Sequence, residues 1–427
     1  MMKKLAPILL LFALTVFFWT SSKHHVKEKK MPKETWISLL NEKKLLQKLS
    51  EPLPVWMDQQ LSEDFAPFQE KGISKEAVDA TFVKIRSTLP NEMLIRYRVV
   101  EGKLYRYFPE GESISLRDNT TEKALKTVFH YMDVDNIDFI FSYIDGIPAP
   151  GVPEGFYLLE NEELQAPILS PAKTGTPPYL ILMPDWRSVC HWWAGDITST
   201  LQESSAHPWE AKKDSAFWRG TFTNAIRLKL CQLTNEYPDQ IDAKLIMRTN
   251  VPELDQIIEK QGLFEERVPF ASFFEYRFLP TSDGVCGASP AYQWRLLSNS
   301  LTFKEQSDQV QWFYPALKPY VHYIPVEGEY GDLIEKMNWA RENEEFCQEV
   351  IANSTEFVLS NLMMEDVYRY LYLVFQKYAS LQSLDEATLK REVKNDPRWI
   401  CIQRRRKMRR KVEKISLEGY TLSPTPF

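Results

Sequence analysis

The feature that most limits this chain is a set of short, almost wholly apolar runs closed by turn residues. Ile137-Asp138-Phe139-Ile140-Phe141-Ser142-Tyr143-Ile144 is the clearest, and it stops at Asp145-Gly146 with Pro148 and Pro150 just beyond. Runs of this length bounded by turn signals read as strands buried on both faces, as in parallel sheets covered by helices. Tyr179 to Met183 is a second such run, and Ala216-Phe217-Trp218-Arg219-Gly220 a third that leads into a turn. Asn224 to Thr234 then has helical spacing, with Ile226, Leu230 and Leu233 on one face. Strand followed by helix in this order argues for an α/β protein.

The rest of the chain fits two α/β halves and a tail. Residues 33–135 read mostly as helix, with a hairpin over Met93–Phe108 turned by Glu101-Gly102. Residues 146–178 are proline-rich and read as irregular. In the second half Phe273–Leu279 and Leu301–Lys304 read as strands, with a helix over Pro290–Leu297 between them. Asp332 is placed to cap a helix carrying Leu333, Met337 and Ala340. Val367, Tyr370, Leu371, Val374, Phe375 and Tyr378 make an amphipathic stripe.

Composition narrows the function classes. With 427 residues, 44% hydrophobic and 26% charged, the chain has the apolar content for two packed domains and is not an extended disordered one. A net charge of −6 argues against a dedicated nucleic-acid binder. The five cysteines form no CxxC, leaving room for one or two disulfides and at least one free thiol. No HExxH, GxSxG, Walker A or GxGxxG occurs, and the six histidines are scattered, so neither a metal nor another cofactor is expected.

Lys3 and Lys4 precede an apolar run from Leu5 to Trp19. As a helix that run reaches only about 22 Å, short of a hydrocarbon core but suited to a signal peptide or an uncleaved signal anchor. Either one carries the remaining chain across a membrane, and Lys23 to Lys30 reads as a basic stalk. At the other end, Arg404, Arg405, Arg406, Lys407, Arg409, Arg410, Lys411 and Lys414 form a basic cluster, which reads as a solvated helix face or a contact for anionic lipid.

Three places offer chemistry. Asp145 ends a buried strand, where open α/β sheets place ligands, and a carboxylate there can serve as general base. Arg219 in FWRG can grip a phosphate bidentately. Asp283-Gly284-Val285-Cys286-Gly287-Ala288-Ser289 is rich in small residues and leads into a helix, the setting in which backbone N–H groups meet a phosphate. Asp133-Val134-Asp135 is a DxD, a weak metal-binding signature that a solvated turn explains as well.

WEAKKDSAFWRGTFTNAIRLKLCQLTNEYPDQIDAKL (209–245), FFEYRFLPTSDG (273–284), WFYPALKPYVHYIPV (312–326), DLIEKMNWARENEE (332–345) and MEDVYRYLYLVFQKYASL (364–381) resemble the CAP10-type glycosyltransferases, glycosyltransferase family 90. PILSPAKTG (167–175) and YLILMPDW (179–186) look like the family's segment ahead of its WRG motif. The resemblance implies a GT-B fold, in which two Rossmann-like domains face a cleft. It also implies inverting, metal-independent transfer of a sugar, glucose or xylose, from a UDP-sugar to an acceptor hydroxyl. The acceptor could be protein, glycan or lipid-linked, in the secretory pathway lumen or a bacterial envelope.

On this resemblance Asp145 is the base. Lys173, Arg219, Gly220, Val285, Cys286, Gly287, Ala288 and Ser289 bind the nucleotide-sugar. The family's arginine near the start of the following helix is replaced here by Ala291, and Arg295 one turn later is the candidate substitute. That departure is the sole support for a competing reading, a non-catalytic sugar-nucleotide or glycan-binding relic of the family. The division expected is a signal and stalk over 1–30, an acceptor-side domain over 31–205, a nucleotide-sugar domain over 206–382 with family likeness across 130–382, and a basic helical tail over 383–427.

Overall fold

The computed structural model describes residues 40–89, 93–109, 116–131, 136–147, 153, 155–249, 251–285, 287 and 290–403. The apolar segment Leu5–Trp19, the DxD, the basic cluster from Arg404, and Cys286, Ala288 and Ser289 all lie outside the described residues. Among the described residues no helix is long and apolar enough to cross a membrane. Four of the five cysteines are described, Cys190, Cys231, Cys347 and Cys401, and no disulfide joins any two of them.

The strands in chain order are β1 (Ile73–Ser74), β2 (Leu94–Val100), β3 (Lys103–Tyr107), β4 (Asn136–Ser142), β5 (Ile168–Ser170), β6 (Ala172–Thr174), β7 (Leu180–Leu182), β8 (Lys213–Gly220), β9 (Ile241–Leu245), β10 (Tyr276–Thr281), β11 (Leu301–Glu305), β12 (Gln309–Gln311), β13 (Ile324–Val326), β14 (Gln382–Ser383) and β15 (Trp399–Gln403). They build two main sheets, one in each lobe of an α/β molecule. The first lobe has six strands in the order β15-β3-β2-β4-β5-β7, and the second has five in the order β13-β11-β10-β8-β9.

The first sheet is mixed. β2, β3 and β15 pair antiparallel, as do β2 and β4, whereas β4, β5 and β7 run parallel. The expected hairpin is present: Glu101 and Gly102 both have positive φ, 50° and 68°, as a tight turn matched to strand twist requires. At the sheet's centre Asp138 is fully buried, yet it is satisfied. Its carboxylate accepts two bonds from Arg96, at 2.7 and 2.6 Å, and one from Arg98 Nε at 2.7 Å. A buried carboxylate needs such partners, because leaving it unpaired costs several kcal/mol (on the order of 3–5).

The second sheet is wholly parallel. Its first strand in the chain, β8, lies between the second and third, β9 and β10. The strand order therefore reverses between β8 and β10, and ligands of open α/β sheets enter at the carboxyl ends beside such a reversal. The helix after β8 runs Ala225–Glu236 with Asn224 as its N-cap, accepting from the Arg227 N–H at 3.1 Å.

Three local expectations shift. The strand expected over Phe273–Leu279 begins only at Tyr276, because Phe270–Glu275 is a 3₁₀ turn whose Phe270 and Phe273 pack on Trp294 with ring centroids 5.0 and 5.2 Å apart. Asp332 makes no side-chain cap to the helix Leu333–Glu342, since its Oδ1 accepts from the Glu327 N–H at 2.8 Å. The striped helix Met364–Leu381 packs on the first lobe, although it follows the second in the chain. Phe375 meets Phe139 of β4 at 4.8 Å, and Lys48 pairs with Asp366 at 2.8 Å. The chain stays with the first lobe afterwards: Glu386–Asn395 is a helix, and β15 closes the sheet edge against β3.

Candidate active site at the sheet reversal

Asp145 stands half-buried three residues beyond β4, in the turn between that strand and Ile147. The turn is held from both sides. Ile144 N–H donates to Ser142 Oγ at 3.2 Å, Ile147 N–H to the Ala172 carbonyl at 3.1 Å, and Thr174 N–H to the Ile147 carbonyl at 3.1 Å. The acid is thus fixed at the carboxyl end of a parallel strand by backbone bonds to β6.

Strand β6 joins the two lobes. Residues Ala172–Thr174 pair antiparallel with Gln309–Gln311 of the second lobe, Lys173 opposite Val310, and Gly175 N–H donates to the Asp308 carbonyl at 2.7 Å. Ile147, Lys173 and Val310 are therefore successive rungs of one ladder. Two ladder spacings, about 10 Å, take the chain from the turn of Asp145 to the edge of the second lobe's loops. The Lys173 side chain does not point freely into this gap. Its Nζ is bound to Asp64 Oδ1 at 2.6 Å, while Asp64 Oδ2 accepts from the Leu182 N–H at 2.7 Å. Lys173 thereby anchors β6 to the helix Val55–Phe65 and to β7.

On the other side of the crevice, β8 ends in Arg219-Gly220. The guanidinium lies over the Phe217 ring, 4.3 Å from its centroid, and contacts Asp242 through Nη1 at 2.7 Å and Nη2 at 2.8 Å. Gly220 is required by space: a Cβ there would overlap the Trp218 ring. Across the reversal, Asp283 follows β10 and is buried, with its carboxylate bonded to Lys304 Nζ at 2.7 Å, to the Ser307 hydroxyl, and to Tyr314 Oη at 3.3 Å. The loop then closes on itself, with Gly284 N–H donating to the Gly287 carbonyl at 2.8 Å. Gly287 has φ 74°, and a Cβ there would fall 2.6 Å from Gln311 Nε2.

Arg227 joins the turn after β8 to the loop after β10 and was not singled out from the sequence. It donates to the carbonyls of Thr221 at 3.0 Å, Asp283 at 2.9 Å and Ser282 at 3.4 Å, while Asn224 Nδ2 reaches the Gly284 carbonyl at 2.8 Å. Burial holds its guanidinium below its ordinary range. The available signal was a cation three residues after an N-cap, on the side of the helix away from the Ile226–Leu230–Leu233 stripe.

Arg295 does not reach the crevice surface. It is buried in the helix Ala291–Leu296, 4.7 Å over the Trp294 ring and 5.9 Å from that of Phe273, and burial pushes its pKa down to about 9. Beside the loop lies a cavity of about 190 Å³ lined by residues including Tyr292, Lys304, Glu305 and Tyr323. Burial pushes the Glu305 carboxyl there up to about 7. Among the described residues no group of three His, Cys, Asp or Glu is arranged to hold a metal ion.

Of the expected site residues, Arg219 and Gly220 end β8 and Val285 and Gly287 lie in the loop after β10, on the two strands that flank the sheet reversal. Asp145 is tied through β6 to β12, whereas the side chains of Lys173 and Arg219 are engaged by Asp64 and Asp242 and Arg295 is buried in its helix. The profile of Glycosyl transferase family 90 matches residues 56–425. The chain belongs to this family. Human Protein O-glucosyltransferase 3 is 26% identical over 333 residues, covering 76% of this chain and 62% of the human protein. Zebrafish (Danio rerio) Protein O-glucosyltransferase 2 is 32% identical over 183 residues, 43% of this chain and 36% of that protein. Mouse Protein O-glucosyltransferase 1 is 25% identical over 333 residues, 76% and 79% respectively. The chain thus spans less than two thirds of the length of several relatives it matches. Among solved structures, Anabaena HepE in complex with UDP-glucose aligns with TM-score 0.31 and 15% identity, over 44% of this chain and 53% of that one.

Proposed function

We propose that this family 90 chain transfers glucose from UDP-glucose to a hydroxyl of a protein, with inversion and without a metal ion. One observation supports the reading: a β-ladder runs from the turn of the strand-end carboxylate Asp145 to Gln309–Gln311, whose side chains hold the loop after β10 at the reversal of a parallel sheet. In this reading the Asp145 carboxylate takes the proton of the acceptor hydroxyl. The oxygen attacks the anomeric carbon as the bond to the diphosphate breaks, and UDP leaves with the electron pair. Arg219, on exchanging its Asp242 partner for the diphosphate, the half-buried guanidinium of Arg227 and the N-terminus of the helix Ala225–Glu236 favour the anion that develops. The likeness to Protein O-glucosyltransferases supports glucose and a protein acceptor. Lys3, Lys4 and the run Leu5–Trp19 support a place across a membrane from the cytosol, in a secretory lumen.

The decisive test is Asp145→Asn, which keeps shape and removes basicity. Turnover of UDP-glucose with a protein acceptor is expected to fall about 10²–10⁴-fold, with UDP affinity by calorimetry nearly unchanged. Turnover of the wild type is expected to persist in EDTA. An Asp145→Asn enzyme of normal turnover would move the base elsewhere, and a wild type that binds no UDP would favour the relic.

A further inference from the structure

Resting on that functional reading, we infer that Gln309 is a positioning residue that ties the donor loop to the lobe carrying Asp145. Its side-chain amide meets the loop with both ends. Oε1 accepts from the Gly287 N–H, and Nε2 donates to the Val285 carbonyl at 3.4 Å. An amide is suited to this, since it offers an acceptor and a donor on one planar group. The loop is thereby held at two points around its small residues, independently of its own Gly284–Gly287 closure.

The backbone of Gln309 belongs to a different construction. It opens β12, whose residues pair with β6, and β6 in turn holds Ile147 and the turn of Asp145. Gln309 lies opposite Thr174, and the next residue of β6's chain, Gly175, donates to the Asp308 carbonyl at 2.7 Å. The neighbouring Gln311 closes the other flank, its side chain filling the space that a Cβ on Gly287 would need. One residue thus connects the loop to the β-ladder that positions the proposed base. A loop whose N–H groups are to meet a diphosphate must have them aimed before the ligand arrives, because aiming them afterwards costs conformational entropy. Gln309 does this aiming from outside the loop. It is half-buried at the crevice edge, so its loss does not empty a core position.

The test uses Gln309→Met, which keeps the volume and loses both hydrogen bonds, and Gln309→Ala. Each hydrogen bond contributes about 1 kcal/mol, so losing two is expected to weaken UDP affinity and raise the KM for UDP-glucose by up to about 30-fold. The kcat at saturating donor is expected to stay within about threefold, and the thermal midpoint to fall by no more than about 2–8 °C with the protein folded at the assay temperature, the split that separates aiming from folding. Unchanged donor affinity in Gln309→Met overturns the inference, as does a loss that only follows a fall in thermal stability. A wild type that neither binds UDP nor turns over UDP-glucose overturns the functional reading instead. Normal wild-type turnover with an indifferent Gln309 overturns this inference alone.

Discussion

Lys212 enters the second lobe at the end of its connection from the first, and it is buried without a carboxylate beside it. Its ammonium donates to the Phe274 carbonyl at 2.7 Å and to Ser300 Oγ at 3.0 Å, with the Ser298 carbonyl at 3.5 Å. Those three groups hold together the 3₁₀ turn before β10 and the loop before β11. Carbonyl dipoles only partly replace water around a cation, and burial lowers the Lys212 pKa from 10.5 to about 8. The consequence for stability has a definite sign. Between about pH 8 and 10.5 the unfolded chain holds a proton on this lysine that the folded chain has released. Stability therefore rises with pH through that window, by about 3 kcal/mol over its full width. Above pH 8 the neutral amine still has two N–H groups to donate, so the hydrogen bonds outlast the charge.

The perturbation is Lys212→Met, which keeps length and apolar stem but cannot titrate. Urea unfolding of both proteins at half-unit steps from pH 7 to 10.5 gives a difference curve from which the other titrating groups cancel, Arg295 included. The wild type is expected to gain on the variant as pH rises, with a slope near 1.4 kcal/mol per pH unit in the middle of the window. A flat difference curve would refute the burial of an unpaired charge. A curve of opposite slope would mean that an anion stabilises Lys212.

Two further outcomes follow from the same structure. Asp138→Ala removes a fully buried anion paired with both Arg96 and Arg98 in β2 and is expected to cost about 3–5 kcal/mol in urea unfolding, far more than removing an exposed ion pair. Ala291→Arg adds a cation at the start of the helix Ala291–Leu296, beside the donor loop, whereas Arg295 is enclosed by aromatic rings. Calorimetry is therefore expected to show UDP binding about 10-fold tighter in Ala291→Arg, and unchanged affinity would mean that position 291 faces away from the diphosphate.

Much of the site was legible because its parts announce themselves locally. An apolar run closed by Asp145-Gly146 reports a buried strand and its end at once, since both signals lie within ten consecutive residues. FWRG and the Asp283–Ser289 loop report turns for the same reason. What periodicity reports is direction around an element, and direction is not depth. The position of Arg295 one turn after Ala291 is compatible with reaching the crevice, but the ring of Trp294 beside it in the same helix and that of Phe273 from a separate 3₁₀ turn enclose it. The stripe on Met364–Leu381 likewise demands a covering surface without naming it, and the surface turned out to be the first lobe.

The parts that escaped the sequence share one cause, long separation between partners of ordinary appearance. Arg96, Arg98 and Asp138 look like polar interruptions in two strands until the β2–β4 register sets Arg98 opposite Asp138. Lys173 reads as a nucleotide-sugar ligand only on the resemblance of its segment to family 90, yet Asp64, 109 positions earlier, takes its charge. Its contribution is then mechanical: it fixes one strand of the ladder on which Gln309 holds the other. Gln309 itself belongs to no motif, and its two bonds to the loop exist only because β12 has paired with a strand of the other lobe. A glycine-poor chain has few loops that can wrap an anion through backbone freedom alone. Here the loop after β10 is held from outside by side chains, Arg227 and Gln309, and these are the residues whose neighbours cannot be inferred from adjacent sequence.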